Sequence, residues 1–170
     1  MEKHINIKSF KNQRGVSLIE VLVSMFLLGI AVIGFVALQV RAMSATGESL
    51  FRSQAMSIAQ EVSERVRANY AQMAAYKVAN NWTVTPTQDC YNATCTSAQL
   101  VNFDIRLAKE TAVATLPNGN VAARTCEGAS NLCVYVSWNK TTTASSGTNA
   151  CVNSSGVYVN TPDCVMLEVY

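Results

Sequence analysis

A long apolar run occupies residues 16–38, and Glu20 is its only charged residue. In an α-helix these 23 residues span roughly 35 Å, which is enough to cross the hydrocarbon core of a bilayer. The preceding residues carry a basic excess, with Lys3, Lys8, Lys11 and Arg14 against Glu2. Lys and Arg near one end of a membrane helix keep that end in the cytoplasm. The pattern therefore predicts a single-pass anchor over residues 16–38, with the rest of the chain outside.

Apolar residues recur at steps of three or four beyond the run, and no proline interrupts them before residue 79. This stripe comprises Phe51, Ala55, Ile58, Val62, Val66, Tyr70 and Met73. The opposite side carries two acid-first pairs at i,i+4, Glu48 with Arg52 and Glu61 with Arg65. Stripe and pairs are typical of an amphipathic helix. They predict that residues 39–79 continue the membrane helix, so that one helix runs from Val16 to about Ala79.

The residues after this helix favour a polar loop to about Gln99, beginning at Asn80, Asn81 and Pro86. A short second helix over residues 102–116 is preferred next, with apolar positions Phe103, Leu107, Val113 and Leu116. Val101, Phe103 and Ile105 also alternate as in a strand, so the strand alternative stays open. The segment would end at the turn Pro117-Asn118-Gly119.

Two strands are predicted at residues 121–126 and 132–138, joined by a turn at 128–131. Alternation would place Val134, Val136 and Trp138 on one face and Cys133, Tyr135 and Ser137 on the other. Residues 139–161 are rich in Thr, Ser, Asn and Gly and predict a long exposed loop, and residues 164–170 predict a last strand. The fold class is therefore α+β: a long N-terminal helix packs its exposed half on a small antiparallel sheet.

Composition limits the chemistry of the chain, whose 170 residues are 49% apolar and carry a net charge of +2. This length suits the anchor and one modest head domain, residues 80–170. The basic excess lies in residues 1–15, so nucleic acid is not expected as a general partner. The single histidine, His4, also lies there, and the carboxylates lack motif spacing. We therefore expect no enzyme, no metal site and no cofactor, and we expect Trp82 and Trp138 to pack in the core.

All six cysteines fall in the C-terminal half, at Cys90, Cys95, Cys126, Cys133, Cys151 and Cys164. An even number of cysteines outside the cytoplasm predicts disulfides. Metal binding is the alternative, but the spacings contain no CxxC pair. Six cysteines allow 15 pairings, among which sequence cannot choose. Sequential bridges close the shortest loops and form our working scheme: 90 with 95, 126 with 133, and 151 with 164.

The junction Arg14-Gly15-Val16-Ser17-Leu18-Ile19-Glu20 resembles the class III leader junction of type IV pilins and their relatives. This resemblance implies that a prepilin peptidase removes residues 1–15 by cutting between Gly15 and Val16. It also implies methylation of the new amine on Val16 and a role for Glu20 in subunit assembly. Many members have Phe where this chain has Val16. The alternative is a simple membrane anchor, in which a carboxylate near one end is unusual.

The remainder of the chain is similar to minor pilins of the PilV type, through its second helix, its Leu-Pro-Asn-Gly turn and its strand order. The resemblance implies a structural subunit that joins other minor and major pilins at the inner-membrane assembly platform, in systems for adhesion, twitching motility and DNA uptake. The subunit would sit in the inner membrane, in contact with lipid and with its head in the periplasm, and later near the tip of the fibre. The alternatives are a type II secretion pseudopilin and a pilin whose exposed loop binds a surface or DNA.

Glu20 needs a partner, because a carboxylate inside a membrane helix is costly. Cleavage before Val16 would create a positive amine one helical turn away, so the two groups could pair within one chain. The pilin resemblance implies instead that the acid meets the amine of a neighbouring subunit. Sequence leaves both readings open.

Overall fold

The computed structural model of the protein describes residues 15–83, 85–159 and 163–169. The leader expectations for residues 1–14 and the strand end at Tyr170 lie outside these residues. The helices are α1 (Leu18–Ala68), α2 (Met73–Tyr76) and α3 (Ser97–Thr115), with 3₁₀ turns at Tyr70–Gln72 and Ala79–Trp82. The strands are β1 (Asn120–Thr125), β2 (Leu132–Ser137) and β3 (Cys164–Val169). The chain divides into two compact units, Met1–Ala45 and Thr46–Tyr170.

In the first unit, residues 18–45 of α1 are helical and all exposed. The run is rich in Leu, Val, Ile and Ala, and Gly29 and Gly34 lie within it without ending the helix. Because its apolar residues point in every direction, no single face defines a core side. This segment therefore has no internal core of its own.

The second unit begins with residues 46–68 of α1, which are amphipathic. The predicted stripe is confirmed at its centre, where Ala55, Ile58, Val62 and Val66 are buried and Phe51 packs against them. The stripe packs with α3 and one face of the sheet in a single hydrophobic cluster. This is the predicted α+β arrangement of a helix on a small antiparallel sheet.

The predicted end of the first helix near Ala79 is wrong, because α1 ends at Ala68. Asn69 leaves the helical conformation with φ −117° and ψ 45°. Its side-chain amide donates to the carbonyl of Ser97 at 2.9 Å, a tertiary partner that a continuing helix would not offer. Short helical turns follow, and Tyr70 is 67% exposed instead of continuing the stripe.

Residues 102–115 lie in helix α3, so the predicted helix is confirmed and the strand alternative is wrong. The helix starts earlier than predicted, at Ser97, because Thr96 and Gln99 form a reciprocal capping box. Its buried face is also shifted, since Val113 is 70% exposed while Ala108 and Ala112 are buried. The small alanines allow α3 to pack closely on β1.

The three strands form one antiparallel sheet in the order β1-β2-β3. Val121 lies opposite Val136, and Val134 lies opposite Leu167. The turn between β1 and β2 is closed by Cys126 N–H donating to Asn131 O at 2.9 Å, and Gly128 within it has φ 77°. Val134, Val136 and Trp138 belong to the cluster with α1 and α3, as alternation predicted. Both tryptophans pack in the core, with Trp82 4% and Trp138 0% exposed.

The prediction that residues 139–161 form a long exposed loop is confirmed for most of the described residues of the segment and is wrong for five of them. Thr141, Thr143 and residues 150–152 are buried. Cys151 and Val152 join Cys133 and Tyr135 in a second hydrophobic cluster on the other face of the sheet. The segment is polar in composition, but its Cys151 and Val152 pack against that face of the sheet.

Three disulfides hold the second unit together, and they link the sequential pairs of the working scheme. The bridges are Cys90–Cys95, Cys126–Cys133 and Cys151–Cys164. The first closes an exposed loop before α3, the second lies at the β1–β2 turn, and the third ties the 139–159 segment to β3. The last two thus contribute to the cluster that covers the second face of the sheet.

Candidate assembly site at the start of helix α1

The first helical turn begins two residues after Val16. The carbonyl of Ser17 accepts hydrogen bonds from the N–H groups of Glu20 at 3.0 Å and Val21 at 3.2 Å. Gly15, Val16 and Ser17 precede this turn without helical structure and are exposed. The predicted helix start at Val16 is therefore shifted to Leu18, and the Gly15–Val16 bond lies in an exposed, non-helical part of the chain.

Glu20 lies in the first turn of α1 and is exposed. The first turn of a helix has backbone N–H groups without intrahelical acceptors, which favours a negative side chain there. Ser24 Oγ donates to the backbone carbonyl of Glu20 at 2.6 Å, so this contact leaves the carboxylate free. Within residues 15–83, 85–159 and 163–169, the carboxylate has no ion-pair partner. A cationic group from outside these residues would therefore meet an accessible acid.

The surface that follows Glu20 is apolar on all sides. Residues 21–40 contain no charged side chain, and their large side chains are exposed, with Phe26 at 69% and Ile33 at 72%. By length and composition, α1 is the one helix of the described chain that could cross a membrane. An apolar surface of this size exceeds what soluble monomers expose, so it calls for lipid or for other helices.

Gly15 has open space around it: a Cβ atom placed there would meet nothing within 4 Å. The protein's own packing therefore does not require glycine at this position. If glycine is required, the requirement comes from an enzyme that must approach the backbone closely.

The predicted site residues do not form a single site in the structure. Gly15, Val16 and Glu20 lie in the first unit, and all six cysteines lie in the second. The described residues contain no group of three His, Cys, Asp or Glu side chains arranged to hold a metal ion. The candidate site is thus a linear segment, defined by an accessible junction, one carboxylate and an apolar helix.

A buried polar network in the second unit was missed by sequence reasoning. Arg65 donates from Nη1 to Asp104 Oδ1 at 3.0 Å and pairs with Glu61 at 2.7 Å. The hydroxyl of Tyr76 donates to the other oxygen of Asp104 and also accepts from Asn69 Nδ2 at 3.5 Å. This network connects the end of α1 with α2 and α3. Only the acid-first pair Glu61–Arg65 was visible in the sequence, because the other contacts join residues distant along the chain.

The electrostatics of the network follow from burial. Burial raises the pKa of the Tyr76 hydroxyl, and the neighbouring carboxylate of Asp104 raises it further. Burial acts to lower the pKa of Arg65, but its bonds to Glu61 and Asp104 outweigh this and raise it. Both side chains therefore keep their protons at neutral pH, which preserves the hydrogen bonds to Asp104. The network therefore stabilises the head.

An exposed apolar helix with an acid in its first turn, followed by an α+β head, is typical of a pilin-like chain. Comparison with protein families agrees: residues 10–36 match the prokaryotic N-terminal methylation motif, and residues 37–106 match the family described as type IV pilin Tt1218. These two adjoining matches make residues 10–106 similar to type IV pilins. They support a pilin subunit of a type IV pilus or of a related system, anchored by its hydrophobic helix before incorporation.

The family matches stop at Arg106 in α3, so the sheet and the segment that covers it lie beyond them. No curated protein and no solved structure matches the chain. The PilV-type subtype that sequence analysis suggested is not among the matches. The head from β1 onward is therefore interpreted from its structure alone.

Proposed function

We propose that this protein is a minor pilin, a structural subunit that joins other minor pilins to prime or modify assembly of a type IV pilus. The observation that carries the proposal is the accessible carboxylate of Glu20, which lies shortly after the Gly15–Val16 junction and at the start of the exposed apolar part of α1. Residues 1–15 would be removed as a leader and Val16 methylated. Residues 16–38 would first span the inner membrane, with residues 80–170 forming a periplasmic head.

The assembly step itself is a pairing between subunits. After cleavage, Val16 would carry a positive α-amine, which methylation leaves charged. The carboxylate of Glu20 in one subunit would form an ion pair with the α-amine of a neighbouring subunit. Both charges would then have a partner as the helices leave the bilayer. The exposed side chains of residues 21–40 would then contact the helices of other pilins instead of lipid. In the competing arrangement the α-amine of Val16 pairs with Glu20 of the same chain. This pairing would not align one subunit relative to its neighbour.

The test of this pairing is Glu20→Ala, compared with Glu64→Ala as a matched control. Glu64 lies on the same helix with its side chain 70% exposed, and it pairs with Arg67 one turn away at 2.7 Å. Glu20→Ala should insert and be cleaved normally but lose co-purification with the other pilins, whereas Glu64→Ala should assemble normally. Glu20→Gln, which keeps the shape and removes the charge, should fail like Glu20→Ala. Wild-type co-purification of Glu20→Ala would overturn the pairing between subunits.

Processing is tested separately by the mature mass. Gly15→Leu should leave an uncut precursor, because a side chain next to the cleaved bond would obstruct entry of the backbone into a peptidase. Gly34→Leu, at a position that also has open space in this chain, serves as a control and should be cut normally. A normal mature mass for Gly15→Leu would contradict the proposed cleavage.

A type II secretion pseudopilus is the alternative assembly, and gene deletion separates the two. Deletion should reduce the number of pili and impair twitching if the protein primes a pilus. Intact piliation together with blocked protein secretion would instead identify a pseudopilin. Counting pili by electron microscopy and measuring secreted protein in the same strain gives both answers.

A further inference from the structure

A cleft of about 410 Å³ lies in the head, beside strand β1. One wall is formed by residues 142–146, from the segment that covers the second face of the sheet. The opposite wall is formed by Lys109 of α3 with Trp82 and Thr83, and Arg124 of β1 contributes to the lining. The cleft therefore lies between elements far apart in sequence. Its volume is in the range of sites for small organic molecules and exceeds what a single inorganic anion fills.

Two cations line this cleft, and only one of them has a carboxylate partner. Arg124 pairs with Glu127 at 3.1 Å, lies over the ring of Tyr135 and donates from Nη1 to the carbonyl of Thr143. Lys109 donates to the carbonyl of Trp82 at 2.6 Å and has no ion pair among the described residues. The lining thus keeps one uncompensated positive charge.

Unused hydrogen-bond donors accompany that charge. Nη2 of Arg124 is buried, and no acceptor for it exists in the described part of the chain. An ammonium group carries three donors, of which the bond to Trp82 uses one at Lys109. Burial without a carboxylate neighbour lowers the pKa of Lys109, so an anion bound beside it would restore a more ordinary value.

The rest of the lining consists mainly of small polar side chains. Thr142 and Ser146 are exposed and Ser145 is half-buried, while Thr83 is exposed on the facing wall. The hydroxyls of Thr142 and Thr83 already donate to the carbonyls of Asn149 at 3.3 Å and Asn80 at 2.8 Å, so they offer acceptors to a ligand. A serine hydroxyl both donates and accepts, so Ser145 and Ser146 suit a ligand that carries hydroxyl groups of its own. The bond from Arg124 to Thr143 O fixes the 142–146 wall to β1, so the cleft is formed before a ligand arrives.

We propose that this cleft binds a small hydroxylated anion of the acidic saccharide class, with a carboxylate at Lys109 and its hydroxyl groups against residues 142–146. Such a ligand matches the uncompensated charge, the hydroxyl-rich walls and the volume together. A neutral sugar would leave the charge of Lys109 unused, and inorganic phosphate would leave most of the cleft unfilled. The site is independent of Glu20 and of the assembly function proposed above.

The experiment is titration calorimetry on the unassembled full-length chain in detergent, with digalacturonate as the probe. The neutral digalactose with the same linkage and sodium phosphate are titrated in parallel. Lys109→Gln should weaken digalacturonate binding by about tenfold or more, the usual effect of losing a charge-assisted hydrogen bond. Lys140→Gln removes the same charge at an exposed position outside the cleft and should change the affinity by less than about twofold.

Each outcome decides the proposal. Saturable digalacturonate binding that is weakened by Lys109→Gln and spared by Lys140→Gln supports it. No saturation up to about 10 mM, equal binding of digalactose, or binding of phosphate alone overturns it. If Lys109→Gln does not fold, Thr142→Glu decides instead, since a negative charge on the exposed rim should abolish binding. Unchanged binding by Thr142→Glu overturns the proposal. Measurement on unassembled protein keeps this result separate from any failure of assembly.

Discussion

The apolar side chains of the two units have opposite environments, as Phe26 and Trp138 illustrate. Phe26, in residues 18–45, is 69% exposed, whereas Trp138 in the head is 0% exposed. The same hydrophobic effect acts on both. The head satisfies it within its own chain, by closing a sheet against α1 and α3. The N-terminal helix presents apolar groups in all directions and can satisfy it only with lipid or other helices. The head is therefore stabilised by contacts within one chain. The first unit depends on contacts with lipid or with other helices.

The largest expected difference comes from truncating one large aromatic residue in each unit. Trp138→Ala should lower the free energy of unfolding of the head by about 3–5 kcal/mol, because it opens a cavity in a closed core. Phe26→Ala should change it by less than about 0.5 kcal/mol, since that side chain is mostly exposed and belongs to neither hydrophobic cluster of the described residues. Chemical denaturation of the full chain in detergent, followed by near-ultraviolet circular dichroism, measures both. Similar effects from the two substitutions would remove the distinction between the units.

The next effect concerns the polar network that belongs to the head alone. Asp104→Ala should cost about 3 kcal/mol, because it leaves the guanidinium of Arg65 and the hydroxyl of Tyr76 without their buried acceptor. Glu61→Ala removes the exposed partner of the same Arg65 and should cost at most about 1 kcal/mol. The midpoints of urea denaturation compare them. Equal costs would mean that the buried bonds to Asp104 contribute no more than a surface ion pair.

The disulfides give a smaller contrast within the head. The Cys151–Cys164 bridge has a sequence separation of 13 and Cys90–Cys95 one of 5. The chain-entropy model predicts about 3 kcal/mol for the first and about 2 kcal/mol for the second. The paired Cys→Ser variants, measured by thermal unfolding, should follow this order. Removal of Cys151–Cys164 should also expose Tyr135, which a fluorescence quencher detects. A reversed order would show that the longer bridge adds little to the covering of the sheet.

The smallest effect is a loss of stability at alkaline pH. The ordinary pKa of tyrosine is 10.0, and that of Tyr76 is raised in the folded state. The folded protein therefore binds more protons than the unfolded chain above about pH 10, and stability falls as the pH rises through this range, by up to about 1.4 kcal/mol per pH unit. Below pH 10 the contribution is fully present. Tyr76→Phe should flatten this dependence, and tyrosinate absorbance at 295 nm should show one fewer late-titrating tyrosine. An identical slope in Tyr76→Phe would contradict the assignment.

Much of the candidate site could be predicted from sequence, because it is a local feature. The junction at Gly15, the acid at position 20 and the uncharged run to residue 40 are neighbours along the chain, so their grouping needs no fold. The amphipathic stripe was equally local, and its centre at Ile58 and Val62 was correct. The capping box of Thr96 and Gln99 was also readable in the sequence and would have placed the start of α3 correctly.

What the sequence alone determined was therefore the uncharged apolar helix with its single acid, the α+β class and a set of cysteines suited to short bridges. Only the tertiary structure decided where α1 ends, because the competing hydrogen bond of Asn69 goes to Ser97 in another helix. It also decided that the polar segment after residue 139 covers the second face of the sheet, since Cys151 and Val152 become core residues only once the sheet offers a surface. Lys109 and Arg124 likewise share a cleft through folding alone. Contacts between distant residues depend on loop closure and packing, whose energies no local pattern contains.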